Sequence, residues 1–167
     1  MIELKNGRIA AGERVVIGDL SFVAPAGKVT CLVGPRGCGK TLLVRSLLGL
    51  WPLEKGFATL QGEPVTRLSA PWLRRLMVYV PQELPDSLSD ALDALDEGLA
   101  TGRRAVVADD PFVAMAEERA LLLANRLQAL ASEGRAVVVV CGEADVSHFD
   151  PTVTLVCQIE NPSIRQS

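Results

Sequence analysis

Val29-Thr30-Cys31-Leu32-Val33 runs directly into Gly34-Pro35-Arg36-Gly37-Cys38-Gly39-Lys40-Thr41, and Leu42, Leu43, Leu47, Leu48 and Leu50 follow at helical spacing. The first five residues form a short apolar run with β-branched members, the pattern of a buried strand, and the leucines mark an apolar-periodic helix. Between them stands G-x-x-x-x-G-K-[ST], the phosphate-cradling loop. Glycines lack the Cβ that would keep backbone N–H groups away from a polyphosphate. A helix beginning near Gly39 adds unpaired N–H groups and the positive end of its dipole. Lys40 has the reach to meet β- and γ-phosphates, and Thr41 offers a hydroxyl to Mg²⁺. The expected cradle is therefore Gly34, Pro35, Arg36, Gly37, Cys38, Gly39, Lys40, Thr41 and Leu42. A glycine-rich turn with a chance lysine would need neither the strand before it nor the helix after it.

The chain has 167 residues, 49% of them hydrophobic and 22% charged, with a net charge of -3. That is enough for one domain with a sizeable core. We expect a single nucleotide-binding domain over residues 1–160 and a polar tail over 161–167. The acidic balance argues against a nucleic-acid surface. No apolar run approaches the length of a membrane span, and residues 1–5 lack the basic-then-apolar order of a signal peptide. The expected location is cytoplasmic, with peripheral attachment at the inner face of a membrane left open. Cys31, Cys141 and Cys157 lie in apolar runs and read as small buried hydrophobes. Cys38, beside Lys40 and a helix start, reads as a reactive thiol with a lowered pKa that bound nucleotide would shield.

Around this centre the chain alternates strands, turns and helices. Residues 2–5, 14–17 and 20–23 read as strands, with Gly18-Asp19 as a hairpin turn between the last two. Residues 49–56 turn the chain, and residues 58–60 form a short strand. Ser69 reads as the cap of a short helix reaching about residue 76, and residues 77–80 as a strand stopped by Pro81. Leu88, Leu92, Leu95 and Leu99 predict an amphipathic helix over 86–100. A strand over 105–108, a helix from about 114 to 132, a strand over 136–141 and a last strand over 153–157 complete the pattern. Strand–helix alternation predicts a mainly parallel sheet flanked by helices, and the first residues predict an antiparallel β flank.

A phosphate loop needs a carboxylate for its metal, supplied from the end of a neighbouring apolar strand. Asp109 stands there, after Ala105-Val106-Val107-Ala108, and Asp110 beside it could orient or deprotonate an attacking water. A plain strand-end turn remains the alternative, because Asp-Pro favours turns. His148, the single histidine, reads as a surface or cap residue.

Taken together these pieces resemble the ATP-binding subunit of ABC transporters, a P-loop NTPase family. The resemblance covers most of the chain. It rests on Ile2-Glu3-Leu4-Lys5-Asn6, Asp19-Leu20-Ser21-Phe22, Pro25-Ala26-Gly27, the phosphate loop, Leu47-Leu48-Gly49-Leu50, Gly56, and Leu73 through Gln82-Glu83. It implies ATP and Mg²⁺ as ligands, with Thr41, Asp109 and Gln82 on the metal and Asp110 and Gln82 as the catalytic pair. It also implies a membrane transport subunit as partner, or another ATPase subunit that supplies a signature loop.

Several positions depart from the family's pattern. Residues 84–104 leave room for little more than one helix, so the chain looks like a form without the helical subdomain. Leu88-Ser89-Asp90 is at best a remnant of the signature motif. Asp110 replaces a glutamate, Gly142 stands at the position of the switch histidine, residues 112–116 lack the D-loop aspartate, and Ala11 falls where an adenine-stacking aromatic belongs. Three expectations follow: slow or partner-dependent ATP hydrolysis coupled to transport, a hydrolysis-deficient accessory or regulatory subunit, and, more weakly, a small-molecule kinase.

Overall fold

The computed structural model describes residues 1–82, 92–93, 95–97 and 102–160. Two sheets are built from strands that the sequence sorts by burial. The first is antiparallel and contains β1 (Ile2–Ala11), β2 (Arg14–Ala24), β4 (Lys55–Leu60) and β5 (Glu63–Pro64), in the order β2-β1-β4-β5. Its two long strands, β1 and β2, largely alternate buried with more exposed residues, as a sheet with one wet face should. The second contains β3 (Val29–Val33), β6 (Met77–Val80), β7 (Ala105–Asp109), β8 (Ala136–Cys141) and β9 (Thr154–Gln158), in the order β6-β7-β8-β3-β9, with every pairing parallel. In β3, β7 and β8 every residue is buried, the continuous apolar pattern of a sheet covered on both faces.

The two faces of the parallel sheet feed two cores. Alternate residues point to opposite sides, so Val138 and Val140 of β8 join Leu43, Val44 and Leu47 of α1 (Lys40–Leu47) and the inner face of the antiparallel sheet. Val137, Val139 and Cys141 instead meet the helix Glu117–Ser132 through Leu123, Leu127 and Leu130. The short helix Ala70–Leu73 is α2, and Glu117–Ser132 is α3. Leu127 is fully buried, and truncating such a leucine to alanine costs about 2–5 kcal/mol.

The expected α/β architecture with its antiparallel flank is the one observed, but three local expectations change. Gly18-Asp19 is not a hairpin turn. Residues 14–24 form one strand, and the pairing passes from Gly7↔Leu20 to Ile9↔Ile17, so an extra β2 residue is absorbed there as a bulge, with Asp19 at φ 52°. The reversal lies at residues 12–13, where Gly12 has φ 62°. Ser69 precedes α2 as expected, but its hydroxyl donates to the Pro64 carbonyl instead of capping the helix. The third helix begins at Glu117, because residues 111–114 turn and Ala114 takes a left-handed φ of 57°. Of the helix expected over 86–100, the described residues 92–93 and 95–97 are helical and Leu95 is buried. The rest of it, the signature-like residues 88–90 and the tail 161–167 lie outside the described residues.

Because β3, β7 and β8 run parallel and adjacent in register, their carboxyl ends finish side by side: Val33 pairs with Cys141, and Asp109 with Val140. The loops that leave these three strands therefore share one edge, where open α/β sheets form their crevices.

Candidate functional site

The loop after β3 is tied to its neighbours through the backbone. Gly34 N–H donates to the Cys141 carbonyl at 3.2 Å, and Asp110 N–H donates to the Val140 carbonyl at 2.7 Å. Gly39 caps α1 at φ 102°, a conformation reserved for glycine. A Cβ there would also strike Val16 Cγ1 of β2, so the loop packs against the antiparallel sheet with no room to spare.

Lys40 is the first residue of α1 and is only 9% exposed. Its Nζ donates to the Gly34 carbonyl at 3.0 Å and the Pro35 carbonyl at 3.4 Å, and lies 3.2 Å from Asp110 Oδ2. Asp110 is left-handed at φ 46°. Aspartate tolerates that region better than most side chains do, which suits the shorter acid at this position. One helical residue on, the Thr41 hydroxyl donates to Asp109 Oδ1 at 3.4 Å.

Asp109 is 2% exposed, and burial pushes its carboxyl above the ordinary value. The Thr41 hydrogen bond works against the shift and the Asp110 charge adds to it. A buried carboxylate with one distant hydroxyl partner is poorly compensated, and a hard cation between the two oxygens would relieve it. Among the described residues no cluster of three or more His, Cys, Asp or Glu side chains forms a closed metal cage. The pair suits Mg²⁺, which takes one or two protein oxygens and completes its shell with phosphates and water. Gln82, exposed at the end of β6, faces the same space.

Two clefts meet at this point, with Arg36, Lys40, Gln82 and Asp110 lining both. The first, about 410 Å³, is walled on its far side by Arg14, Val16, Thr41 and Leu42. The second, about 550 Å³, continues over Gly34 and Pro35 to Gly142, Glu143, Asp145 and Gln158. All the expected cradle residues border one of the two except Cys38. The Cys38 backbone N–H donates to the Pro35 carbonyl at 3.2 Å, and a Cβ on Gly34 would strike its Sγ. The thiol is fully buried, and burial raises its pKa despite the neighbouring Lys40. The expected reactive Cys38 is thus corrected: desolvation outweighs the lysine's field. Cys157, on the outermost strand β9, is the one cysteine that is not buried.

Gly142 offers no side chain to the second cleft, and its N–H donates to Asp145 Oδ2 at 3.0 Å. Asp145 sits in the 3₁₀ turn Glu143–His148. His148, expected as a surface or cap residue, ends the 3₁₀ turn with its side chain packed and not on the surface. Its side chain is 9% exposed, with its ring 5.1 Å from that of Phe112, Nδ1 3.6 Å from a Glu117 carboxylate oxygen and Nε2 3.8 Å from Asp145 Oδ1. It borders neither cleft. Sequence reasoning missed Arg14 and Asp145. The spacing Gly142-x-x-Asp145, an acidic side chain returning to the backbone three residues earlier, was the available signal for the second.

A family model described as ABC transporter matches residues 17–143. The chain belongs to the ABC transporter family. It is 36% identical over 88 residues to the manganese transport system ATP-binding protein MntB of Listeria innocua, covering 53% of this chain and 35% of that protein. It is 33% identical over 104 residues to the aliphatic sulfonates import ATP-binding protein SsuB 2 of Burkholderia cenocepacia, covering 62% and 36%. The match thus spans about a third of either relative. A crystal structure of a nucleotide-free ATP-binding cassette from an ABC transporter superposes with a TM-score of 0.75 at 16% identity, over 95% of this chain and 89% of that one. At that identity the superposition shows the shared fold alone. No helix among the described residues is long and apolar enough to cross a membrane.

Proposed function

We propose that this chain binds MgATP and hydrolyses it slowly, or only when a partner completes the site, as the nucleotide-binding module of a transport assembly. The observation that carries this reading is two neighbouring pairs, Lys40 with Asp110 at 3.2 Å and Thr41 with Asp109 at 3.4 Å, set side by side where α1 begins and β7 ends. In this reading Lys40 and the loop N–H groups hold the polyphosphate. Thr41, Asp109 and Gln82 hold the metal, and Asp110 with Gln82 orients the water. The partner is a membrane transport subunit or a second ATPase subunit that brings a signature loop. The relatives are named for different cargoes, so cargo choice falls to the partner.

A second reading, a nucleotide-binding accessory subunit that scarcely turns over, is favoured by two observations. Asp110, at the edge of both clefts, is already paired with Lys40 at 3.2 Å, and Gly142 supplies no imidazole. A carboxylate displaced by about 1 Å can lower a rate on the order of a hundredfold. Steady-state phosphate release from MgATP, compared between the wild type and Asp110→Asn, separates the two. Turnover that the substitution abolishes supports hydrolysis by this chain. Background rates in both proteins remove hydrolysis for the isolated chain and leave the second reading standing.

A further inference from the structure

The first cleft does not end at the phosphate loop. It runs from Lys40 and Thr41 along β2, past Val16, to Arg14. Val16 lies against the loop, since it is the residue that a Cβ on Gly39 would strike. Arg14, two residues back along the strand, stands at the cleft's outer end beside the hairpin turn. Its cross-strand partner is Ala11, whose methyl offers no flat surface. Arg14 is exposed, and among the described residues its side chain has no hydrogen-bond or ion-pair partner. The cleft's described lining contains no aromatic ring. Its planar groups besides Gln82 and Asp110 are the guanidinium groups of Arg14 and Arg36. Arg36 belongs to the phosphate loop and borders both clefts, which places it with the phosphates.

We infer that Arg14 is the base platform of this site: its guanidinium stacks on the purine of a nucleoside triphosphate whose phosphates lie at Lys40. The inference rests on the nucleotide-binding reading and adds the residue that reads the base. A guanidinium is flat, permanently charged and weakly hydrated, so it lies against a π-face where an ammonium prefers water. Stacking of this kind is tolerant of base identity, because every base has a π-face. Adenine and guanine nucleotides are then held alike, in contrast to a site that discriminates by hydrogen bonds to base edges.

The test is calorimetric titration of the whole chain with three probes, MgATP, MgGTP and magnesium tripolyphosphate, which has no base. Arg14→Ala should weaken both nucleotides by about three- to thirtyfold, the range of an exposed to a partly desolvated cation–π contact. Tripolyphosphate affinity should not change. Arg14→Tyr, which replaces one flat surface by another, should restore the nucleotides, and Arg14→Lys, which keeps only the charge, should restore less. Equal losses for tripolyphosphate and nucleotides would overturn the inference, leaving Arg14 as a distant charge. Unchanged nucleotide affinity in Arg14→Ala would overturn it too, while wild-type nucleotide binding kept the broader reading intact. A wild type that binds none of the three probes would remove that reading, and the base platform with it.

Discussion

The two clefts that share Lys40 differ in sign. The first sets Arg14, Arg36 and Lys40 against Asp110 alone. The second sets Arg36 and Lys40 against Asp110, Glu143 and Asp145. At about 4 Å and an effective dielectric near 20, each unit charge pair is worth roughly 4 kcal/mol before solvation is counted. In the proposed reading a polyphosphate would be favoured along β2 and opposed from the side of Gly142. One lysine thus serves two spaces, and neighbouring carboxylates decide which of them takes an anion.

The largest expected effect comes from the cation the clefts share. Lys40→Ala should lower MgATP affinity by about a hundredfold, the loss expected when charged hydrogen bonds worth roughly 3 kcal/mol disappear. A calorimetric change below about threefold would show that the anion anchors elsewhere. Next comes the wall between loop and β2. Gly39→Ala combines a left-handed backbone with a clash on Val16, and should destabilise the chain by about 2–3 kcal/mol in urea unfolding. Gly37→Ala shares the positive φ but meets open space, and should cost about 1 kcal/mol. Equal costs would mean that β2 does not constrain the loop.

Smaller effects probe the acidic side. Asp110→Asn removes the carboxylate that competes for Lys40, and should raise MgATP affinity by about three- to tenfold, the scale of a partly exposed ion pair. Asp145→Asn preserves an acceptor for the Gly142 N–H while removing one negative charge, so its gain should be smaller. A loss in either variant would reverse the proposed polarity of the second cleft. The buried Asp109 gives a pH signature. Its carboxyl is raised above 3.8 in the fold, so the folded chain holds that proton more tightly than the unfolded chain does. Its contribution to stability is therefore greatest at low pH and declines as pH rises from 3.8 through the raised value. Melting temperatures of Asp109→Asn, measured beside the wild type, should lack that decline. Least consequential is thiol access: iodoacetamide should modify Cys157 first, and Cys38 only on unfolding, with or without MgATP.

The centre of the fold was legible because local signals agreed there. The all-buried strands β3, β7 and β8 are written as apolar runs broken only by Thr30 and by Asp109, which closes β7, and the glycines and lysine mark the loop between strand and helix. What stayed hidden depends on partners distant in sequence. Gly18-Asp19 carries turn chemistry, yet a paired β1 converts it into a bulge. Cys38 has the charges that activate a thiol, yet contact with Gly34 buries it. His148 looks like a polar residue in a polar stretch, and only the position of Phe112 shows that it is packed. The Lys40–Asp110 contact joins residues 70 positions apart, beyond any local pattern.

The hydrogen bond between Gly142 and Asp145 bears on how such a site can change over generations. A Cβ on residue 142 would lie 3.1 Å from Asp145 Oδ2, so the carboxylate has settled into space that a side chain there would need. A histidine placed at 142 would ask that carboxylate to give way by a few tenths of an ångström. The tip of a flexible side chain can do so, and the path to an imidazole stays open to a single step whose cost falls on the Asp145 contact.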